Sequence, residues 1–272
     1  MSDCIKTRGL FQGKEGELLD LLRPAGGEWG IVIDDLDGKG FLELNGNKKF
    51  LAASVIKIPI MMAAFDQVRH GRSRLDDTIV LKREDKVGGS GVLLELHNGL
   101  CLTLLDAIHL MIVVSDNTAT NLVIDSIGGI DVVNQYMARR GLKDSRLENY
   151  LMKPKPQGPR NTVTPSEVAY LLRGIATRSI DNPGDCDTMY EILKRQQYNE
   201  KIPWDLPPGV ECAHKTGEIQ GVTHDAGIVR GPGVNFVIVC LSQNLPSTRV
   251  GDRTIGQVAK WAYDILAGNS QA

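Results

Sequence analysis

The sequence lacks most features that announce a partner by composition alone. Charge of one sign is missing: 31 Lys and Arg stand against 33 Asp and Glu, for a formal net charge of -2. A chain so balanced gives no reason to expect nucleic acid or an anionic membrane as partner. No apolar run reaches the roughly 20 residues that span a bilayer. The N-terminal MSDCIKTRGLF has no apolar core of signal-peptide type. As written the chain reads as cytoplasmic, or as periplasmic or secreted if an export signal has been removed. Cysteine is scarce and odd in number. None of Cys4, Cys101, Cys186, Cys212 and Cys240 falls in a metal-binding pair spacing. Cys101, Cys212 and Cys240 lie in apolar segments and read as buried structural thiols. There is no HExxH and no compact Cys/His cluster, so no metal is expected. The glycine-rich run Val87 to Leu93 lacks the Gly-Lys-Ser/Thr ending of a phosphate loop. It reads as a bend lining a cleft, and no cofactor is expected. What is left is a small-molecule substrate and a monomer.

With 272 residues, 42% of them hydrophobic and 24% charged, the chain is an ordinary globular sequence of one large domain or two lobes. Residues 13 to 23 read as an amphipathic helix stopped by Pro24 and Gly26-Gly27. Trp29 to Ile33 and Phe41 to Leu44 read as a hairpin around an Asp- and Gly-rich turn. Helices follow at Leu102 to Val114, Thr118 to Ile127 and Ile130 to Arg139. A polar stretch at 142–164, with Pro154, Pro156 and Pro159, has no periodicity, and loops of that length are often functional. Thr164-Pro165-Ser166-Glu167 then opens a helix, with Thr164 as N-cap and Glu167 at N3. A further helix covers Asp187 to Gln196. Extended segments return at Val210 to Thr216, Asp225 to Arg230 and Val234 to Ser242, and Asp252 to Leu266 closes the chain as an amphipathic helix. The expected fold class is α+β. One antiparallel sheet is built from both chain ends and flanked by terminal helices, and an all-α lobe is inserted. The expected division puts 1–51 and 208–272 in the α/β lobe and 52–207 in the helical lobe, with an omega-type loop at 142–164.

Three polar islands interrupt this apolar pattern. Leu51 to Phe65 is apolar on nearly every side of a helix, and Lys57 is its only charge. A buried ammonium is costly unless it is paired. Ser54 lies three residues earlier on the same face, so hydroxyl and amine can meet, and desolvation can turn a lysine into a base. Pro59 falls in what reads as the second turn of that helix, where it would remove a hydrogen bond. His109, inside its apolar helix, reads as a core or lobe-interface histidine. The second island is Ser115-Asp116-Asn117, between two helices. The third is Lys215-Thr216-Gly217, on a strand.

Ser-x-x-Lys, Ser-Asp-Asn and Lys-Thr-Gly, in this order and these contexts, resemble the motif set of penicillin-recognising serine acyl-transfer enzymes. Over roughly residues 13 to 268 the chain resembles a class A serine β-lactamase, or a close relative in the penicillin-binding superfamily. The family's Arg-x-Glu-x-x-Leu-Asn loop is matched by Arg146-Leu147-Glu148-Asn149-Tyr150-Leu151-Met152, followed by Thr164-Pro165. The resemblance implies Ser54 as nucleophile, with Lys57 or Glu148 through a water as its base. It implies Ser115, assisted by Lys215, as proton donor to the leaving nitrogen. The backbone N–H groups of Ser54 and Glu218 are the expected oxyanion donors. Asn117 is expected to bond Lys57 and a substrate side-chain amide, Lys215 and Thr216 to offer a cation and a hydroxyl to a substrate carboxylate, and Gly217 to lie along the substrate, while Asp116 is expected to be structural. Glu148 would deprotonate the water that releases the acyl-enzyme.

The pattern departs in three places. Met152 stands where the family has an asparagine beside the water, which implies slow or altered deacylation. Asn161 stands where an aspartate usually pairs with the arginine matched by Arg146, leaving only a neutral hydrogen bond and a looser loop. His224 stands where many members carry a carboxylate-binding arginine. It is expected to bind a carboxylate better once protonated, with Arg230 as an alternative cation. A related esterase, peptidase or amidase, a penicillin-sensing module that acylates without turnover, and a non-enzymatic protein keeping the fold are the competing readings.

Overall fold

The computed structural model describes residues 4–153 and 157–268, so Pro154 and Pro156 of the long loop lie outside the described residues. Strand β1 (Ile5–Gly9) precedes helix α1 (Glu15–Leu22), which runs into a 3-10 turn, Arg23–Ala25. The hairpin follows as β2 (Glu28–Asp35) and β3 (Gly40–Leu44). Short β4 (Phe50–Leu51) leads through a 3-10 turn, Ala53–Ile56, into α2 (Lys57–Arg69). Strands β5 (Thr78–Val80) and β6 (Cys101–Thr103) pair with each other before α3 (Leu104–Val113), α4 (Asn117–Ser126) and α5 (Ile130–Arg139). After the loop come β7 (Thr162–Val163), α6 (Pro165–Ala176) and α7 (Pro183–Lys194). The chain closes with β8 (Glu211–Ile219), β9 (Val222–Gly231), β10 (Val234–Gln243) and α8 (Thr248–Ala267).

The main sheet has the order β1-β3-β2-β10-β9-β8, and every pairing in it is antiparallel. Its two halves come from the two chain ends and join where β2 lies along β10, from Glu28 opposite Gln243 to Asp35 opposite Phe236. The period-2 alternation of β10 feeds two cores. Phe236, Ile238 and Cys240 join the core made with α1 and α8 residues such as Leu18, Ile255 and Val258. Val237, Val239 and Leu241 join the core shared with the helices. A central strand buried on both faces needs this near-continuous apolar run. Helix α6 lies on the helical face of the sheet, against β2, β9 and β10. Helix α2 runs through the middle of the helical part and is buried from Lys57 to Gln67. The result is the α+β arrangement expected, with a sheet from both ends, terminal helices on one face and helices on the other.

Local readings held less well than architecture. Strand β1 pairs with β3 although nothing in its polar sequence marked it as a strand. Pro59 removes no helical hydrogen bond, because α2 starts only at Lys57 and the first four N–H groups of a helix have no partner within it. Thr164 caps α6 through the Glu167 N–H at 3.3 Å. The Glu167 carboxylate does not return that bond. It accepts the N–H groups of Lys143, Asp144 and Ser145 and anchors the start of the long loop. Cys186 and Cys240 are buried and Cys212 half-buried, but Cys101 is exposed on short β6. Among the described residues no helix is long and apolar enough to cross a membrane.

Candidate active site

The 3-10 turn Ala53–Ile56 places Ser54 one residue into the turn and Lys57 at the start of α2. Three residues per turn put i and i+3 on one line. Ala53 has φ 42, a left-handed value that a non-glycine residue adopts at a cost of about 1–3 kcal/mol unless its surroundings impose it. Lys57 is fully buried. Its Nζ lies 2.7 Å from Ser115 O, 3.1 Å from Ser115 Oγ and 2.9 Å from Asn117 Oδ1. Among the described residues, none of these bonds reaches Ser54.

Ser115, between α3 and α4, also has a left-handed φ, 54. Asp116 explains how that turn is held. One carboxylate oxygen caps α4 through Ala119 N at 2.8 Å, and the other accepts Val92 N and Leu93 N at 2.6 and 2.8 Å. Asn117 N donates to Ser90 O and its Nδ2 to Gly88 O, so the glycine-rich bend is tied to the same turn. On the far side, Lys215 Nζ donates to Ser115 Oγ at 3.1 Å and to Thr216 O at 2.8 Å. One hydroxyl oxygen is therefore shared by two buried lysines. Burial pushes Lys57 well below the usual lysine range, the nearby Lys215 charge pushes it further, and Asp116 opposes both. Burial also lowers Lys215, to about 7, against the upward pull of Asp225, and Lys201 adds a smaller downward push. Two lysines that hold their protons less firmly than ordinary lysines thus stand on either side of Ser115.

Strand β8 is the edge of the main sheet. The carbonyl of Thr216 faces outward to Lys215, and by alternation the backbone groups of Glu218 face outward too. Between them Gly217 passes the nucleophile so closely that a Cβ there would lie 3.0 Å from Ser54 N. Two adjoining cavities open along this edge. One, about 450 Å³, is lined by Ser54, Ser115, Thr216, Gly217 and Glu218 on one side and by Tyr198, Glu200, Lys201 and Asp252 on the other. The larger, about 930 Å³, continues past Ser54, Asn117, Gly89 and Met152.

Residues 15–266 match the Beta-lactamase enzyme family. The chain belongs to this family. Its chemistry is that of a β-lactamase-type serine hydrolase, in which an acylated serine is released by a glutamate-activated water. Among solved structures it is similar to a beta-lactamase from Sphaerobacter thermophilus, at 35% identity and TM-score 0.88 over 96% of this chain and 99% of that one. It is similar also to PBP-A, at 31% identity and TM-score 0.85 over 93% of this chain and 95% of that one. Among characterised sequences, Beta-lactamase CARB-4 of Pseudomonas aeruginosa is 27% identical, covering 89% of this chain and 86% of that enzyme.

The family's glutamate loop is built here from side-chain amides. Asn134 and Asn121 each bond both ways to a loop backbone, at Leu147 and Leu151. Asn161 Oδ1 accepts Glu148 N at 2.7 Å and Asn149 N at 2.8 Å, and its Nδ2 donates to Asn149 O at 3.0 Å. The expectation that Asn161 bonds Arg146 is therefore overturned, because its amide is spent on the backbone. Arg146 instead pairs with Glu148, Nε to Oε1 at 3.3 Å. Among the described residues, the Glu148 carboxylate makes no bond to Lys57. Met152 has φ 61, is 57% exposed and lines the larger cavity opposite Gly89.

His224 is a correction. It pairs with Gly217 across the strands but is fully buried beneath the cleft. Nε2 meets Leu51 O at 2.7 Å, Nδ1 meets the Ser242 N–H at 3.1 Å, and burial lowers its pKa to about 4. A neutral, enclosed imidazole cannot hold a substrate carboxylate. Nor does Arg230 replace it, since its guanidinium bonds Ala176 O and covers the Tyr190 ring at 4.3 Å. Arg249 lines the larger cavity, and a cation that does line the cleft is Lys201, which sequence reasoning missed. Its side chain is 6% exposed, and its ammonium lies 3.4 Å from Asp252 and 3.6 Å from Glu218. In sequence, Asn199-Glu200-Lys201 resembles any solvated loop. Tertiary contacts turn it inward: the Ile202 N–H bonds Asp225 at 3.0 Å, Asn199 Oδ1 meets His214 Nε2 at 3.1 Å, and Lys201 Nζ lies 3.5 Å from His224 O.

Proposed function

We propose that the protein hydrolyses the amide bond of β-lactams through an acyl-enzyme on Ser54. Ser54 Oγ attacks the carbonyl carbon, and neutral Lys57 accepts its proton. The N–H groups of Ser54 and Glu218 hold the oxyanion. As the C–N bond breaks, Ser115 gives its proton to the nitrogen, and Lys57 restores it. Lys215 supplies partial positive charge at that step. Asn117, Thr216 and Gly217 line the path of the substrate. A water that gives its proton to Glu148 then attacks the ester carbonyl; as the C–O bond to Ser54 breaks, that proton returns to Ser54 Oγ and the acid is released. The observation that carries this reading is the Ser115 hydroxyl, 3.1 Å from the nitrogens of both buried lysines.

Slow release is the second reading, and it rests on the loop. The Glu148 carboxylate is engaged by Arg146, and a thioether at Met152 is a poor partner for water. Similarity to PBP-A, solved in mutant form as an acyl-enzyme with penicillin G, is compatible with either reading. Mixing the protein with a penicillin and a chromogenic cephalosporin, with intact mass and absorbance followed together, separates them. A burst followed by slower steady turnover, with an adduct that disappears in Ser54→Ala, is the expected result. A stoichiometric adduct that persists for hours leaves only acylation, and no adduct with either compound overturns the proposal.

A further inference from the structure

Lys201 is a buried cation beside the outer end of the Lys-Thr-Gly strand, and it already has partners. The Glu218 carboxylate stands 3.6 Å from its ammonium and Asp252 stands 3.4 Å away. Asp252 is fixed by the Thr223 hydroxyl at 2.5 Å. Glu218 is free to move, since its side chain is 55% exposed on the edge strand and lines both cavities. Glu200 lines the same cavity. Around Lys201 the end of the cleft beyond Ser54 thus holds three carboxylates, Glu218, Asp252 and Glu200, while Arg249 lines the larger cavity on the other side of Glu218. A substrate carboxylate arriving at Lys201 must displace Glu218 and then stand beside it, and like charges at such distance in a partly desolvated cleft repel.

We propose that the Glu218 side chain is a specificity-determining group that occupies the carboxylate place on Lys201, so that this enzyme favours acyl substrates with a neutral or cationic group beside the scissile nitrogen over those with a carboxylate. This rests on the acyl-enzyme reading above. It assigns the side chain of Glu218 a role separate from that of its backbone N–H.

The test compares a penicillin with its methyl ester, by the second-order rate at which each acylates Ser54 in intact-mass measurements. The unaltered protein is set beside Glu218→Gln and Glu200→Gln. The ester is expected to react faster than the acid in the unaltered protein. Glu218→Gln is expected to move the ester-to-acid ratio toward the acid by about tenfold, equivalent to about 1.4 kcal/mol. Glu200→Gln, without a bond to Lys201, is expected to move it much less. A ratio unchanged in Glu218→Gln, or an equal change in Glu200→Gln, overturns the assignment while leaving Ser54 chemistry intact. Glu218→Ala must move the ratio in the same direction as Glu218→Gln, and the opposite sign also overturns it. Absence of any adduct with both compounds removes the acyl-enzyme reading and this one with it.

Discussion

On the roles proposed above, the two halves of the catalytic cycle fall to two differently built regions. The acylation half is made of Ser54, Lys57, Ser115 and Lys215 on three elements joined by buried hydrogen bonds. Its two lysines are fully enclosed, and Asp116 alone holds three backbone N–H groups around it. The deacylation half is a loop hung from asparagine side chains, with Glu148 30% exposed and paired to an arginine. Buried satisfied networks have one arrangement, whereas partly exposed pairs exchange readily with water. On the proposed roles, such a site would take an acyl group more readily than it releases it.

The largest effect should follow from breaking the rigid half. Lys57→Met keeps the volume and apolar contacts of α2 but removes the proton acceptor. Acylation should fall by about 10²–10⁴-fold, with the acid and ester forms of a penicillin affected alike, read by stopped intact-mass time courses. A loss under about threefold would move the base role to Glu148 through water.

A smaller effect, of opposite sign, should come from loosening the other half. Without an aspartate at 161, the Arg146 guanidinium turns to Glu148. Arg146→Ala frees that carboxylate, and Asn161→Asp offers the arginine its alternative partner. Both should speed release of the acyl group by roughly three- to tenfold, measured as the steady rate after the burst, with the burst itself unchanged. Asn161→Asp also loses the Nδ2 donation to Asn149 O, so its gain should be the smaller of the two. Slower release in both variants would mean that the Arg146 pair positions Glu148 productively.

The same contrast separates what was legible in the sequence from what was not. Sheet halves at both chain ends, the helical middle and the three motifs were readable because they rest on local periodicity and spacing. The Ser-Asp-Asn turn carries its own instructions, since an N-cap aspartate acts within three residues. What stayed hidden depends on distant partners. His224 looked like a cleft residue by ungapped spacing, but Leu51 and Ser242 enclose it. Lys201 looked solvated until Asp225 turned its neighbour inward. Glu167 looked like half of a capping box, yet it serves a loop more than twenty residues away. A polar side chain's partner is set by tertiary geometry, which hydrophobic pattern does not encode.

Lys201 also gives the finest test of the acylation half, through pH. Lys215 sits at about 7 because burial lowers it, Asp225 raises it, and the Lys201 charge lowers it further. Its ammonium helps the leaving step only while protonated, so acylation should decline as pH rises through 7. Neutral Lys57 gives the opposing ascending limb, which lies well below the ordinary lysine range. Lys201→Met removes a positive charge, so Lys215 holds its proton to higher pH and the descending limb should move upward by about half a pH unit. The ester substrate is the right probe, because it does not report the carboxylate place that Lys201 also serves. A limb that moves down, or stays fixed while Asp225→Asn moves it, would show that the Lys201 charge is screened from Lys215 and that the two cavity ends act independently.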